Sequence, residues 1–150
     1  MRCPTPATRF GKREKRLLLD ILKLYPLIPI AHHQVTRSGV GDKMESNQRL
    51  LEEALAEHRA GNRKQLDAML GEEGRFKPVK TGFHLTLNPH QTEWLLQVLN
   101  DVRVGSWLRL GQPDEKKDKD VHLTPDNARY LVFMEASAYF ESVLLSALEK

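Results

Sequence analysis

A cluster of polar residues interrupts the most apolar stretch of the chain. The stretch covers residues 94–111, WLLQVLNDVRVGSWLRLG, and its composition predicts one helix that is apolar on nearly every side. Helices of this kind are usually buried, and a buried charge normally needs a partner. We therefore expect the polar cluster to have a specific role. The candidate binding residues are Asn100, Asp101, Arg103 and Trp107.

A recognition site is one interpretation of this cluster. Asn100, Arg103 and Trp107 fall on one side of a helix, because positions three, four and seven apart are neighbours. In this interpretation Arg103 contacts an acidic group of a protein partner, and Trp107 is the aromatic anchor. Asn100 and Asp101 bind backbone groups of the same partner.

A buried structural network is the alternative, and the residue types favour it. Arg103 then forms an ion pair with Glu135 or Glu141 on the last helix. Asp101 accepts a hydrogen bond from a loop N–H or from a helix cap. Gly105 costs a helix about 1 kcal/mol relative to alanine, so its presence predicts the close approach of another element.

Residues suited to catalysis are few. The six histidines show neither an H-x-x-x-H nor an H-E-x-x-H spacing. A metal site would require His84 and His122 to meet beside a carboxylate. The sequence contains no glycine-rich phosphate loop and no serine nucleophile elbow. We therefore expect a protein that is not an enzyme and that uses no cofactor and no metal.

Composition indicates one soluble globular domain. The chain has 150 residues, of which 40% are hydrophobic and 29% are charged, and this length suffices for a substantial core. A single cysteine, Cys3, fits a reducing cytoplasm. The apolar run at 17–31 contains two charged residues and two prolines, so it predicts neither a signal peptide nor a membrane span. We expect a cytoplasmic protein that does not bind membranes.

The charge distribution supports a second function. Residues 2–23 contain seven basic and two acidic residues, a balance of +5 in a chain whose net charge is +3. A basic arm of this kind contacts nucleic acid or an acidic protein surface. The alternative to protein binding is therefore a DNA-binding transcriptional regulator that uses the basic N-terminal arm at residues 9–16.

Apolar periodicity predicts two helices and a short third one in the N-terminal half. The first covers residues 11–25 and is ended by Pro26. The second begins at a capping box formed by Asp42 and Glu45. A break at Gly61 then separates it from the short third helix, because glycine readily takes the left-handed conformation that ends helices.

Two long helices are predicted in the C-terminal half. Asn88 with Pro89, and Thr124 with Pro125, each have the residue types of a cap followed by a first helical turn. The first of these helices contains the apolar stretch described above, and the second extends to residue 149. A charged loop of about a dozen residues joins them, so they can lie antiparallel.

The predicted fold class is all-α. We expect a small helical bundle with two long antiparallel C-terminal helices and, at most, a two-stranded extended pair at 83–87 and 121–123. A single domain is expected, in which residues 1–8 form a mobile tail. Residues 9–82 then contain the N-terminal helices, and residues 83–150 contain the core helical hairpin.

The stretch TEWLLQVLNDVRVGSWLRLG resembles an uncharacterised bacterial family of unknown function, best known from actinobacteria. Members carry the pattern W-L-x-x-L-N-D-L-R-L-x-L-G-x-R-L-G, then a variable loop and an amphipathic C-terminal helix. The likeness covers about residues 83–150, although Trp107 and Leu108 replace a pair of small residues. The matching residues are Trp94 and Leu95 and then, after one additional residue relative to the pattern, Leu99, Asn100, Asp101, Arg103, Arg109, Leu110 and Gly111.

The resemblance implies a small partner-binding protein. Family members have no established activity and are often encoded beside the adaptor that feeds substrates to the Clp protease. We expect non-catalytic binding of a protein partner, as an accessory to regulated proteolysis, at an apolar groove near Trp107 or at the loop 26–33. A third hypothesis is a homodimer formed through the long apolar helices.

Overall fold

The structure is a computed structural model that describes residues 7–28, 42–112 and 123–149. Helices dominate it, as predicted, but an all-α class is wrong because a small sheet contributes to the core. The helices are α1 (Lys12–Leu22), α2 (Asp42–Gly71), α3 (Pro89–Arg109) and α4 (Ala128–Leu148), and the strands are β1 (Ala7–Phe10), β2 (Phe76–Val79) and β3 (Gly82–Thr86).

The sheet is antiparallel and has the strand order β1-β3-β2. β3 confirms the extended segment predicted at 83–87, but its partners differ from the predicted one. Residues 83–86 pair with β1, and residues 82–85 pair with β2. Both edges of β3 are therefore occupied, so its predicted pairing with 121–123 is wrong. Residues 121 and 122 lie outside the described residues.

The other two strands escaped prediction because each has only four residues. Their sequences, ATRF and FKPV, show no strict alternation of apolar and polar residues, and a run this short does not distinguish a strand from a loop. β1 begins at Ala7, inside the segment predicted to be a tail. Its pairing with β3 is a tertiary contact, and no local sequence pattern reports such a contact.

One face of the sheet belongs to the core. Directly opposite side chains on neighbouring strands share a face, so Phe10 of β1 lies on the same face as Phe83 of β3. Phe10 and Leu85 are 1% exposed. Phe10 contacts Phe140 of α4 edge-on, with 5.7 Å between the ring centroids. α1 covers the same face, because Lys15 Nζ lies 3.8 Å from the centroid of the Phe83 ring.

α1 confirms the first predicted helix, although it ends at Leu22 rather than at residue 25. Its start is tied to α4 through Glu14. This carboxylate accepts hydrogen bonds from the Gly11 N–H at 3.1 Å and from Tyr139 Oη at 2.8 Å. Both bonds lower the pKa of Glu14, and the Gly11 N–H is the larger cause.

α2 continues through the predicted break at Gly61, so the prediction of two separate helices is wrong. Gly61 is exposed, and nothing lies within 4 Å of the position that a Cβ would occupy. The next two residues anchor α2 to the end of α1. Asn62 donates a hydrogen bond to Tyr25 Oη at 3.0 Å, and Arg63 donates to the Leu22 carbonyl at 2.6 Å. These contacts offset a helix penalty of about 1 kcal/mol for the glycine.

The start of α3 confirms the cap predicted at Asn88. Asn88 Oδ1 accepts from the Gln91 N–H at 2.7 Å, and Gln91 Oε1 accepts from the Asn88 N–H at 3.0 Å. Arg75, just before β2, donates to Gln91 Oε1 at 3.1 Å and to the Thr86 carbonyl at 2.7 Å. It also donates to the Met69 carbonyl at 3.3 Å. Arg75 therefore joins α2, the sheet and α3.

The last helix begins later than predicted. The Thr124 N–H donates to Asn127 Oδ1 at 2.7 Å, and the Asn127 N–H donates to Thr124 Oγ1 at 3.2 Å. Thr124 therefore closes the turn that precedes α4, whereas the N-cap residue of the helix is Asn127, so the predicted helix cap at Thr124 is wrong. Pro125 begins a turn rather than the helix, and α4 starts at Ala128.

α3 and α4 are antiparallel, as predicted. Arg103 of α3 approaches Glu141 of α4, whereas Trp107, one turn later in α3, shares a groove with Met134, which is earlier in α4. By length and composition, α4 is the one helix of the described segments that is apolar enough to cross a membrane, with a mean hydropathy of 1.4. Only 17% of this apolar window is buried, so much of α4 remains at the surface.

Gly105 confirms the predicted close approach of another element. A Cβ at this position would lie 2.7 Å from the Cβ and Cγ atoms of Leu27 and 2.9 Å from its carbonyl carbon. Leu27 belongs to the segment after α1, and its side chain is buried. The absence of a side chain at Gly105 therefore allows this segment to pack directly on α3.

We predict that one substitution has opposite effects at two glycines. Gly105→Ala should lower the free energy of unfolding by about 1–3 kcal/mol, because the added methyl group overlaps Leu27. Gly61→Ala, the matched control, should raise it by about 0.5–1 kcal/mol, because alanine favours a helix and nothing obstructs it. Urea unfolding followed by circular dichroism measures both. Equal effects would show that Leu27 does not pack against Gly105.

We also predict a pH dependence at the start of α1. A carboxylate with a lowered pKa in the folded state stabilises that state above its unfolded pKa, and the contribution is lost as the pH falls through the folded pKa. Tyr139→Phe should raise the pKa of Glu14 towards its ordinary value. The pKa should stay below that value, because the hydrogen bond from the Gly11 N–H remains. The variant should be less stable than the wild type at neutral pH, and the difference should shrink in acid. An NMR titration in which the pKa of Glu14 is unchanged would contradict this prediction.

Candidate functional site

A groove of about 380 Å³ lies between α3 and α4. Four of its six lining side chains are apolar, and the other two carry opposite charges. Two of the four predicted binding residues, Arg103 and Trp107, are among them. The lining residues are Arg103, Val104 and Trp107 of α3 and Met134, Glu135 and Ala138 of α4.

Trp107 is the largest side chain of the groove, and 36% of its surface is exposed. Tryptophan is over-represented among the residues that dominate binding energy at protein interfaces. Met134 lies on the facing wall, and methionine adapts its shape to different partners because its side chain is unbranched and flexible. The pair therefore forms an apolar surface suited to receiving an apolar side chain.

Arg103 is held at the groove by two contacts. Its Nη2 donates to Asn100 Oδ1 at 2.9 Å, and its Nε lies 3.4 Å from Glu141 Oε1. Of the two ion pairs predicted for Arg103, the structure therefore contains the one with Glu141. The expectation of a buried pair is wrong for Arg103, because its side chain is 45% exposed, whereas that of Glu141 is 17% exposed. Burial raises the pKa of Glu141, and the positive charge of Arg103 partly opposes this shift.

Asp101 faces the other side of α3 and has a structural role. Its Oδ1 accepts hydrogen bonds from the Leu27 N–H at 2.6 Å and from the Ile28 N–H at 3.4 Å. Its Oδ2 lies 3.6 Å from Arg59 Nη2, and both side chains are only 12% exposed. This confirms the prediction that Asp101 accepts a hydrogen bond from a loop N–H.

The four predicted residues thus separate into two places. A second cleft, of about 240 Å³, lies between α2, α3 and the segment after α1, and both Asn100 and Asp101 line it. Arg103 and Trp107 line the groove against α4 instead. The hydrogen bond between Arg103 and Asn100 links the two places directly. Residues 29–33 of the other predicted site, the loop 26–33, lie outside the described residues.

Small polar residues lie between α3 and α4 next to the groove. Ser106 and Ser137 are fully buried. Within the described segments, their hydroxyl oxygens have no hydrogen-bond partner in the protein, and Glu141 Oε1 has the ion pair with Arg103 in place of a hydrogen bond.

The α4 wall of the groove was missed by sequence reasoning. Met134 and Ala138 are one turn apart on α4, so helical spacing does place them on one face. The missing information was the register between α3 and α4, because the loop that joins the two helices does not determine which turns meet.

The described segments give no additional evidence for a catalytic site or a metal site. They contain no group of three or more His, Cys, Asp or Glu residues arranged to hold a metal ion. Of the hypothetical pair of His84 and His122, His122 lies outside these segments, as does Cys3. What the groove offers is an anchoring surface with a cation on one wall and a carboxylate on the other.

Comparison with known proteins identifies no relative of this chain. No family model matches the chain, and no curated protein and no solved structure is significantly similar to it. The resemblance of the motif at 94–111 to a bacterial family stays a prediction. The groove and its residues therefore remain the feature that points to a function.

We predict that Asp101 and Arg103 contribute very differently to stability. Asp101→Ala should lower the free energy of unfolding by about 3 kcal/mol, because it removes a buried carboxylate from Arg59 and from the Leu27 N–H. Arg103→Met should lower it by less than about 1 kcal/mol, because solvent screens a half-exposed ion pair. Chemical unfolding of both variants measures this difference. A loss at Arg103 as large as that at Asp101 would contradict a surface role for Arg103.

Proposed function

We propose that this protein is a non-catalytic cytoplasmic binding protein whose α3–α4 groove receives an apolar segment of a protein partner. The observation that carries the proposal is the partial exposure of Trp107 inside an apolar groove, between residues of opposite charge. Removing a tryptophan ring from water is favourable, and a partner that covers it gains that free energy.

The dimensions of the groove favour a peptide segment. Its volume of about 380 Å³ suits one or two apolar side chains, and its lining residues span about one turn of each helix. An amphipathic helix inserts such side chains into grooves of this kind, using residues three, four or seven positions apart. We therefore propose a partner segment with an apolar anchor that lies between Trp107 and Met134.

The two charged side chains of the groove favour one orientation of a bound segment. Arg103 lies on the α3 wall and Glu135 on the α4 wall. A partner segment with an acidic residue near Arg103 and a basic residue near Glu135 complements both charges. Arg103 is already oriented by Asn100 and Glu141, so less side-chain entropy is lost when it binds.

Regulated proteolysis is the proposed cellular setting, and only the resemblance of the motif at 94–111 supports it. The adaptor of the Clp protease is therefore the first partner to test. A purified adaptor can be titrated against the protein directly. The groove proposal does not depend on the result, since another partner can carry the same apolar segment.

Site-specific photo-crosslinking tests the groove. With a photoreactive phenylalanine in place of Met134, we predict a covalent adduct with a discrete protein partner in cells. Val132 is the matched control position, because it lies two residues earlier on α4, is 54% exposed and is outside the groove lining. No adduct with this partner is expected from position 132. Trp107→Ala should weaken binding of the partner at least about tenfold.

Two outcomes would contradict the proposal. Equal crosslinking from positions 132 and 134 would show that the partner does not occupy the groove. A crosslink from position 134 to a second copy of this chain alone would assign the groove to a homodimer. Circular dichroism of Trp107→Ala confirms that the variant is folded before its binding is measured.

A further inference from the structure

Three side chains with basic groups lie in one row across the sheet. Arg9 of β1 is directly opposite His84 of β3, and His84 is directly opposite Lys77 of β2. They alternate with Phe10 and Phe83 along their strands, so they point away from the face that α1 and α4 cover. Arg9 and Lys77 are exposed, and His84 is half-buried.

The row has no acidic counterpart within the sheet. None of the three strands contains Asp or Glu. Lys80, which is exposed in the turn between β2 and β3, adds a further positive charge. Neighbouring strands are about 4.8 Å apart, so the Arg9 and Lys77 backbones are separated by about 10 Å. The charges of Arg9, Lys77 and Lys80 therefore add to one positive patch, which attracts an anionic ligand.

Arg9 is positioned rather than neutralised. Its Nε donates to Thr81 Oγ1 at 2.8 Å, and its Nη2 donates to the Thr81 carbonyl at 3.0 Å. Glu14 is within electrostatic range of Arg9. However, the Glu14 oxygens accept hydrogen bonds from the Gly11 N–H and from Tyr139. A guanidinium fixed in this way loses little entropy when it binds an anion.

We propose that this face of the sheet binds the phosphate backbone of duplex DNA. Arginine and lysine side chains make charge-assisted hydrogen bonds to phosphate oxygens, and a row of them follows a chain of phosphates. The outward positions of the described strands include no Phe, Tyr or Trp, so there is no platform on which single-stranded bases would stack. Antiparallel strands are an established way to dock on a duplex.

This surface replaces the basic arm predicted at residues 9–16. Arg9 is part of a strand, and Lys15 points to the covered face, where it contacts the Phe83 ring. Arg9 of β1 therefore lies on the same surface as Lys77 of β2 and Lys80 of the following turn, although these lysines are about 70 residues later in the sequence. The surface is separate from the α3–α4 groove, so DNA binding does not depend on the proposed protein partner.

A salt titration with paired variants tests this proposal. Fluorescence anisotropy of a labelled mixed-sequence DNA duplex measures the affinity over a range of salt concentrations. We predict binding at low salt and a steep linear loss of log affinity with log salt, because counterions are released from the duplex. In the double variant Lys77→Gln, Lys80→Gln the slope should fall by about 2, since each lysine contributes one phosphate contact.

The control variant removes the same charge elsewhere. Arg49 and Lys64 are exposed on α2, and Arg49→Gln with Lys64→Gln should leave the slope unchanged. The proposal is overturned if the wild type does not bind the duplex at low salt, or if the two double variants weaken binding equally. It is also overturned if single-stranded DNA or an acidic polypeptide binds more tightly than the duplex and the same lysines are required.

Discussion

The arrangement of the helices depends on the carboxylate of Asp101. This side chain, on α3, accepts a hydrogen bond from the segment after α1 and forms an ion pair with Arg59 of α2. Three parts of the chain that are distant in sequence therefore meet at one buried charge. An apolar side chain of similar size would leave both Arg59 and the Leu27 N–H without this acceptor. Gly105 completes the junction, because it lies one turn later and gives Leu27 room to approach.

The same junction explains where the groove opens. Successive residues of a helix are about 100° apart, so Asp101 and Arg103 point to nearly opposite sides of α3. One side of the polar cluster is covered by α2 and the segment after α1, and the other faces α4 and solvent. A single sequence motif thus contains both a residue that stabilises the fold and residues available for binding. The structural interpretation of the cluster applies to Asp101, and the proposed recognition role concerns Arg103 and Trp107.

Features that depend on local sequence could be predicted. The Asn88 cap, the close approach at Gly105 and the loop acceptor at Asp101 each follow from the preference of one residue type for one environment. The sheet could not be predicted, because β1 finds its partner far along the chain. The continuity of α2 through Gly61 depends on what Asn62 and Arg63 contact. The α4 wall of the groove depends on helix register, and the row of Arg9, His84 and Lys77 depends on strand register.

The central position of β3 affects how the chain acquires its structure during synthesis. β1 pairs with residues that are translated about 75 positions later, whereas α3 and α4 are neighbours in the chain. Until β3 has left the ribosome, β1 has no strand to pair with. Phe10 and the apolar face of α1 then lack the surface against which they pack. Long-range pairing of this kind slows folding and prolongs the exposure of apolar surface. The interval between the synthesis of β1 and that of its partner strand is therefore longer than the interval between α3 and α4, and the apolar residues of β1 stay exposed during it.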